Sequence, residues 1–246
     1  STPIKSSAAS DVYKRQPETR SYGDFGSNIF ALVLGVPDDR YDDVVATLKH
    51  EISVKYDNHL NTGIFGTQFF FETLALNGLN DIAYNAMNQE DFPSFGNWIK
   101  QGATVTWEKW NGADSRNHPM FGGGLTWFYR ILAGVNVDAE RPAYEHIIIK
   151  PILDKRLPEV YYSHMTPYGE VVSEIRQTGR NLEMNVTVPV GSTATIYIPV
   201  GGNTSEVTES GISVRDSKDV RFERIQDGNC IVRVPQGKYK FKVDNQ

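Results

Sequence analysis

Cysteine is all but missing from this chain, Cys230 being the only one. A single thiol excludes an internal disulfide and supplies no cysteine-based zinc site. Its neighbours Ile231 and Val232 mark it as a buried strand residue. An excess of positive charge is missing as well. Lys and Arg number 25 against 30 Asp and Glu, a formal net charge of −5, and no basic patch with interleaved aromatics occurs. Because Lys and Arg contacts to phosphate dominate nucleic-acid affinity, no nucleic-acid partner is expected. No apolar run approaches the about 20 residues that cross a membrane, so no membrane partner is expected either. Several chemical signatures are also absent. The triplet Gly122, Gly123, Gly124 lacks the preceding strand and the lysine of a phosphate-cradling loop. Neither a nucleophile elbow nor an H-E-x-x-H zinc pair is present. No metal and no cofactor is expected.

What remains is an ordinary globular composition, 39% hydrophobic and 22% charged over 246 residues, with room for one large domain or two of ordinary size. Residues 1–19 stand apart, being polar, rich in Ser and Lys, aperiodic and without the apolar core of a secretory leader. They read as a non-native or disordered segment, foreign to the fold, with a parent protein extending upstream. Nothing else in the sequence fixes a compartment.

Over residues 20–142 the apolar residues recur at helical spacing. Tyr41, Val44, Val45, Leu48 and Ile52 make one stripe of an amphipathic helix that starts after Pro37, with Asp38 and Asp39 favouring its N-terminal end. Residues 29–34 end at Gly35, a helix-stop signal. Asp24 is a plausible cap after Tyr22, and Asn61 or Thr62 is the expected cap of a helix carrying Phe69, Phe70, Phe71, Leu74 and Leu76. That helix is apolar on most sides and reads as an inner one. Residues 82–87 and 125–132, the latter closed by Gly134, bring the count to about five. Trp98 and Trp127 read as core. Over residues 143–246 the pattern is β: Leu182, Met184, Val186 and Val188 alternate with polar residues. Further short strands follow over 195–200, 220–225, 230–234 and 239–243, as in an antiparallel β-sandwich. Asp42, Asp43, Glu206 and Glu209 read as solvated faces.

The chemistry concentrates in residues 93–118, PSFGNWIKQGATVTWEKWNGADSRNH. Glu108 lies between Trp107 and Trp110, and His118 follows ten positions later. A pyranose packs its C–H faces on aromatic rings while its hydroxyls seek carboxylates and imidazoles, so the combination suits a sugar. Rings that wall a carboxylate also disfavour its charged form and tune it for acid–base work. The plainer alternative is a helix or strand with buried tryptophans and one solvated Glu. The surrounding Gly, Pro, Asn and Ser favour a loop, and loops on rigid scaffolds carry sites. Trp110 and Phe95 read equally as sugar platforms or as core; His118 on its own favours a structural histidine, and its NHP setting beside Phe121 and the glycine triplet brings the ligand reading level with it.

Five blocks in order carry a resemblance: YGDFGSN (22–28), HLNTGIFGTQFFFETLALNGLNDIAY (59–84), QEDFPSFGNWIKQGATVTWEKW (89–110), SRNHPMFGGGLTWFYRILAGV (115–135) and TPYGE (166–170). Over roughly residues 20–200 the chain resembles the C-terminal part of a bacterial α-L-rhamnosidase of the inverting, multidomain kind. The resemblance implies part of an (α/α)6 toroid followed by an antiparallel β-sandwich. It implies Glu108 as the general base that activates water, and His118 as an imidazole bonded to rhamnose. Asn117, Trp107, Trp110 and Phe95 then complete the candidate sugar-binding set, and the partner is a rhamnose-containing glycan or glycoside. The family's general acid lies on an upstream segment that this chain does not reproduce, and the loop between Trp110 and Asn117 is shorter than in many members.

Two rival readings stand beside it. One is an inverting α/α-toroid glycosidase for another sugar. The other is a non-catalytic carbohydrate-binding or scaffold fragment with the sandwich as its working part. In any of the three, a partial toroid is expected to be inactive alone and to self-associate through exposed helix faces.

Overall fold

Residues 25–179, 181–200 and 206–244 are described by a computed structural model, which divides into two units, Ser1–Thr126 and Trp127–Gln246. The expected segment 1–19, Tyr22 and the Asp24 cap lie outside the described residues.

The first unit is helical. Helix α1 (Phe25–Leu34) stops where expected: Gly35 takes φ +108° and its amide donates to the Ala31 carbonyl at 2.9 Å. Helix α2 (Asp38–His50) has Asp38 and Asp39 in its first turn and Lys49 and His50 in its last, each sign facing the favourable dipole end. Its stripe is centred on Val44, Leu48 and Ile52, all fully buried, and each such side chain contributes about 1.5–3 kcal/mol. Ile52 reaches the core from a π-helical turn, Glu51–Lys55, that continues α2. Tyr41, at the stripe's end, is exposed and donates its hydroxyl to the Asn77 side chain.

Helix α3 (Ile64–Leu76) is capped by Gly63 and not by Asn61 or Thr62. The Thr62 hydroxyl is committed elsewhere, to the Thr67 hydroxyl at 2.7 Å within the buried interior. Phe70, Phe71 and Leu74 are buried, whereas Phe65 and Leu76 are 64% and 68% exposed, so one side of α3 stays open within this unit. Helix α4 (Asn80–Met87) buries Ile82, Ala83 and Ala86. Helix α5 (Phe95–Lys100) is an element that the sequence did not predict. Ser94 accepts from the Asn97 amide at 2.9 Å, a side-chain cap that stabilises a helix too short to show periodicity. The helix expected over 125–132 is a π-helical turn, Trp127–Leu132, in the second unit, and a 3₁₀ segment, Pro119–Leu125, precedes it. The glycines explain the 3₁₀ segment. A Cβ on Gly124 would lie 2.9 Å from the Phe71 ring and one on Gly123 3.1 Å from Gln68, so only bare backbone packs this closely on α3.

The second unit is a β-sandwich. One sheet runs β1 (Val135–Val137), β2 (His146–Ile149), β6 (Thr193–Pro199), β10 (Asn229–Val234), β9 (Arg221–Gln226). The other runs β3 (Glu159–Thr166), β4 (Gly169–Thr178), β5 (Asn181–Val188), β11 (Gly237–Asp244), β7 (Glu206–Glu209), β8 (Ile212–Ser213). Strand structure therefore begins at Val135, ahead of residue 143. Pairing is antiparallel except between β2 and β6, which run parallel. Strand β5 alternates as read, Leu182, Met184, Val186 and Val188 entering a core shared with Ile147, Ile196, Val232 and Phe241 of the remaining strands. Cys230 is in that core, 1% exposed. The TPYGE block is the β3–β4 turn, where the Thr166 hydroxyl donates to the Gly169 carbonyl at 2.7 Å. Glu209 corrects an expectation: it is buried at the β7 end, accepting from the Ser210 hydroxyl, while Glu206 is solvated.

Candidate active site

Residues 106–118 form a pinched loop between α5 and the 3₁₀ segment. The His118 amide donates to the Thr106 carbonyl at 2.8 Å, and the Thr106 hydroxyl donates back to the His118 carbonyl at 2.6 Å. Two positions further in, the Glu108 amide donates to the Ser115 carbonyl at 2.8 Å. These bonds hold two strands of chain side by side and bring residues ten apart in sequence to one rim: His118 Nδ1 is 3.9 Å from Glu108 Oε2. That is too long for a hydrogen bond but short enough for both groups to face one small ligand.

The Glu108 carboxylate is fixed by the Ser115 amide, which donates to Oε2 at 3.1 Å. Oε1 has no protein hydrogen-bond partner among the described residues. The side chain is 37% exposed and that of His118 28%. The wall of rings expected around Glu108 is therefore not built in this unit, because Trp107 and Trp110 turn to other aromatics. Trp110 stacks on Trp98 with centroids 4.5 Å apart, and Trp107 lies 5.6 Å from the same ring. Phe95, on α5, meets Trp98 and Trp110 edge-on at 5.7 and 5.3 Å, and Phe121 closes the cluster 4.3 Å from Trp110. Indole N–H groups tie this cluster to the backbone: Trp98 Nε1 donates to the Trp110 carbonyl at 2.8 Å, and Trp110 Nε1 to the Thr62 carbonyl at 2.9 Å.

The residues of the expected sugar-binding set differ in exposure. Trp107 is 3% exposed, with the Arg116 guanidinium 4.5 Å above its ring, whereas Trp110 and Phe95 keep part of their surface open. Asn117 is exposed, its amide held by the Ser115 hydroxyl at 3.2 Å. The loop tip is closed by a Lys109–Asp114 ion pair at 2.5 Å. Sequence reading missed Thr106, Ser115 and Arg116. Their work is done by backbone bonds and a cation over a ring across the loop, contacts that leave no periodic signal. Among the described residues no group of three or more His, Cys, Asp or Glu could hold a metal, and no helix is long and apolar enough to cross a membrane.

Comparison with known proteins bears on this geometry. Residues 13–132 match the profile of the bacterial alpha-L-rhamnosidase 6 hairpin glycosidase domain, and residues 134–213 that of the bacterial alpha-L-rhamnosidase C-terminal domain. An alpha-L-rhamnosidase of Formosa agariphila is 30% identical over 198 residues, which is 76% of this chain and 21% of that protein. One from an Alteromonas species is 32% identical over 154 residues, 58% of this chain and 16% of its own length. Among solved structures, the alpha-L-rhamnosidase of Dictyoglumus thermophilum superposes with a TM-score of 0.84 at 32% identity, covering 96% of this chain and 28% of that one. The Streptomyces avermitilis alpha-L-rhamnosidase complexed with L-rhamnose gives 0.80 at 25% identity, over 95% of this chain and 23% of that one. The chain spans about a fifth of the length of the first curated relatives it matches, 21% and 23%. Two successive domains of one family, matched in order along the helical unit and the sandwich, show that this chain belongs to the bacterial α-L-rhamnosidases.

Proposed function

We propose that this chain carries the water-activating half of an inverting α-L-rhamnosidase site, with Glu108 as general base and His118 as a hydrogen-bonding contact to the sugar. The observation that supports the reading best is the shared rim. A carboxylate oriented by the Ser115 amide, with Oε1 unengaged by protein, lies 3.9 Å from an imidazole. Such an oxygen can take a proton from water while the imidazole orients a hydroxyl. Inversion requires a second carboxyl group across the scissile bond, at about 6.5–9.5 Å, to protonate the leaving oxygen. We assign that acid to the part of the longer relatives that this chain does not span. Trp110 and Phe95 offer open ring surface to the sugar, Asn117 a polar contact at the rim, and Trp107 acts from beneath, holding the loop that presents Glu108.

The test is Glu108→Gln in an active rhamnosidase containing this chain. The amide keeps the shape but cannot accept the proton, and general-base catalysis is worth about 10²–10⁴-fold. Turnover should fall by that factor while L-rhamnose binding persists, and proton NMR of the parent reaction should show the β anomer first. Near-normal turnover in the variant removes Glu108 from the role, and an α product at early time removes inversion.

A further inference from the structure

The five-stranded sheet sends Ile147, Ile196 and Val232 into the sandwich core. The alternate residues of the same strands stand on its other face, where His146, Thr195, Tyr197 and Ile231 line a cleft of about 140 Å3. Its floor is rigid. The His146 ring is 4% exposed, with Nδ1 2.6 Å from the Thr193 hydroxyl and Nε2 2.8 Å from the Thr195 hydroxyl. Burial, reinforced by the nearby Arg141, holds its pKa below the usual histidine value, so the ring adds no charge.

Charge enters from the rim. Arg141, Arg224 and Arg233 face two carboxylates, Asp138 and Glu223, in a chain that is otherwise net negative. Each guanidinium is held mainly by one edge. Asp138 Oδ2 accepts from Nε and a terminal nitrogen of Arg141 at 3.3 and 3.2 Å, and Gln226 Oε1 accepts from Arg224 Nε at 2.7 Å. Glu223 Oε1 lies 3.2 Å from Arg221 Nε and 3.5 Å from Arg233 Nε, close enough to attract both, yet it is buried and makes no hydrogen bond. The terminal nitrogens of Arg224 and Arg233 have no protein acceptor among the described residues. Arginine forks held in this way match the two oxygens of a carboxylate. The volume lies well below the about 300 Å3 at which drug-sized pockets begin, so the occupant is one small unit. The Tyr197 ring, with the Lys150 ammonium 5.1 Å from its centroid, lines the cleft, and the Thr195 hydroxyl supplies a polar contact.

We propose that this face of the sandwich is a second binding site, separate from the Glu108 loop, for a single carboxylate-bearing sugar unit whose carboxylate is gripped by Arg224 and Arg233. The test is a titration of the 246-residue protein, followed by amide NMR, with D-glucuronate, acetate and L-rhamnose as separate probes. Glucuronate should saturate, shifting the amides of Thr195, Tyr197, Ile231 and Arg233 and not those of residues 106–118. Arg224→Met and Arg233→Met, both at exposed side chains, should each weaken it about tenfold, the loss of a charge-assisted hydrogen bond, with the rest of the spectrum unchanged. Acetate should bind more weakly, and rhamnose should leave these amides unmoved. Failure of glucuronate to saturate, undiminished binding in both variants, or an equal response to acetate or rhamnose would overturn the proposal. Because the readout is binding on the sandwich, its failure leaves the Glu108 assignment standing, and the reverse holds too.

Discussion

At the scale of single residues, the candidate site depends on neighbours outside the Glu108–His118 pair. Gly112 takes φ +71°, and a Cβ there would lie 2.7 Å from the Trp107 ring, while its carbonyl accepts from Arg116 Nε at 3.1 Å. Gly112→Ala therefore meets both strain and a clash. A backbone forced into a sparsely populated region costs about 1–3 kcal/mol, so the variant should melt earlier and change its tryptophan fluorescence. An unaltered melting curve would show that the loop relaxes freely. His59 gives a second residue-scale expectation. Burial of its ring opposes the proton, but the Asp91 carboxylate 2.7 Å from Nε2 and the Tyr56 carbonyl 3.0 Å from Nδ1 outweigh it, and its pKa is raised above 6.5. The imidazolium donates to both. Its contribution to stability is complete below pH 6.5 and is lost as pH rises through the raised folded value. The Asp91 pKa is lowered by the same hydrogen bond, so its contribution is present above 3.8 and lost as pH falls. Stability of the helical unit should thus be greatest between these limits, and Asp91→Asn should flatten the decline on the alkaline side. A profile identical in wild type and variant would dismiss the pair.

At the scale of elements, legibility followed the strength of the local pattern. The α2 stripe and the β5 alternation were readable because a burial period repeats several times in each. Helix α5 was not, since six residues give less than two turns and its identity rests on one hydroxyl, that of Ser94. Strands β3 and β4 also escaped, β3 because it is a sheet edge whose residues are mostly exposed, with Tyr161 62% and Met165 70% open. In the candidate site, the WEKW spacing singled out the 106–118 loop, but not where its rings turn. That depends on Trp98 and Phe121, which chain proximity does not reveal. Cys230 allows a direct check on β10. Burial pushes its thiol up to about 11, and it is 1% exposed. Iodoacetamide at pH 8 should leave it unmodified in the native protein and alkylate it in denaturant. Rapid native labelling would mean that β10 opens.

At the scale of the whole molecule, the two units differ in where their apolar residues are left open. The sandwich closes one core from both of its sheets. The helical unit leaves Leu34, Val54, Phe65 and Leu76 between 62% and 68% exposed along its helices and helical turns, whereas the most exposed apolar residues of the sandwich, Tyr161, Met165 and Val190, lie on an edge strand and a turn. Side chains of that kind are worth about 1.5–3 kcal/mol each when buried, a large share of a domain's about 5–15 kcal/mol. Calorimetry should therefore resolve two transitions. The helical unit should unfold first, accompanied by dye binding and self-association, and the chain alone should not cleave an aryl α-L-rhamnoside. One cooperative transition, or activity in the isolated chain, would contradict this. The position of β11 carries a different consequence. The strand nearest the C-terminus is inserted between β5 and β7, inside its sheet and not at the margin. During synthesis, β5 is therefore left with an unpaired edge until residues 237–244 have left the ribosome, while some fifty residues accumulate behind it. The sandwich cannot be assembled progressively from its start. A ribosome stalled before Gly237 would hold a chain with an exposed strand edge, and protection from protease should arise only once β11 has emerged.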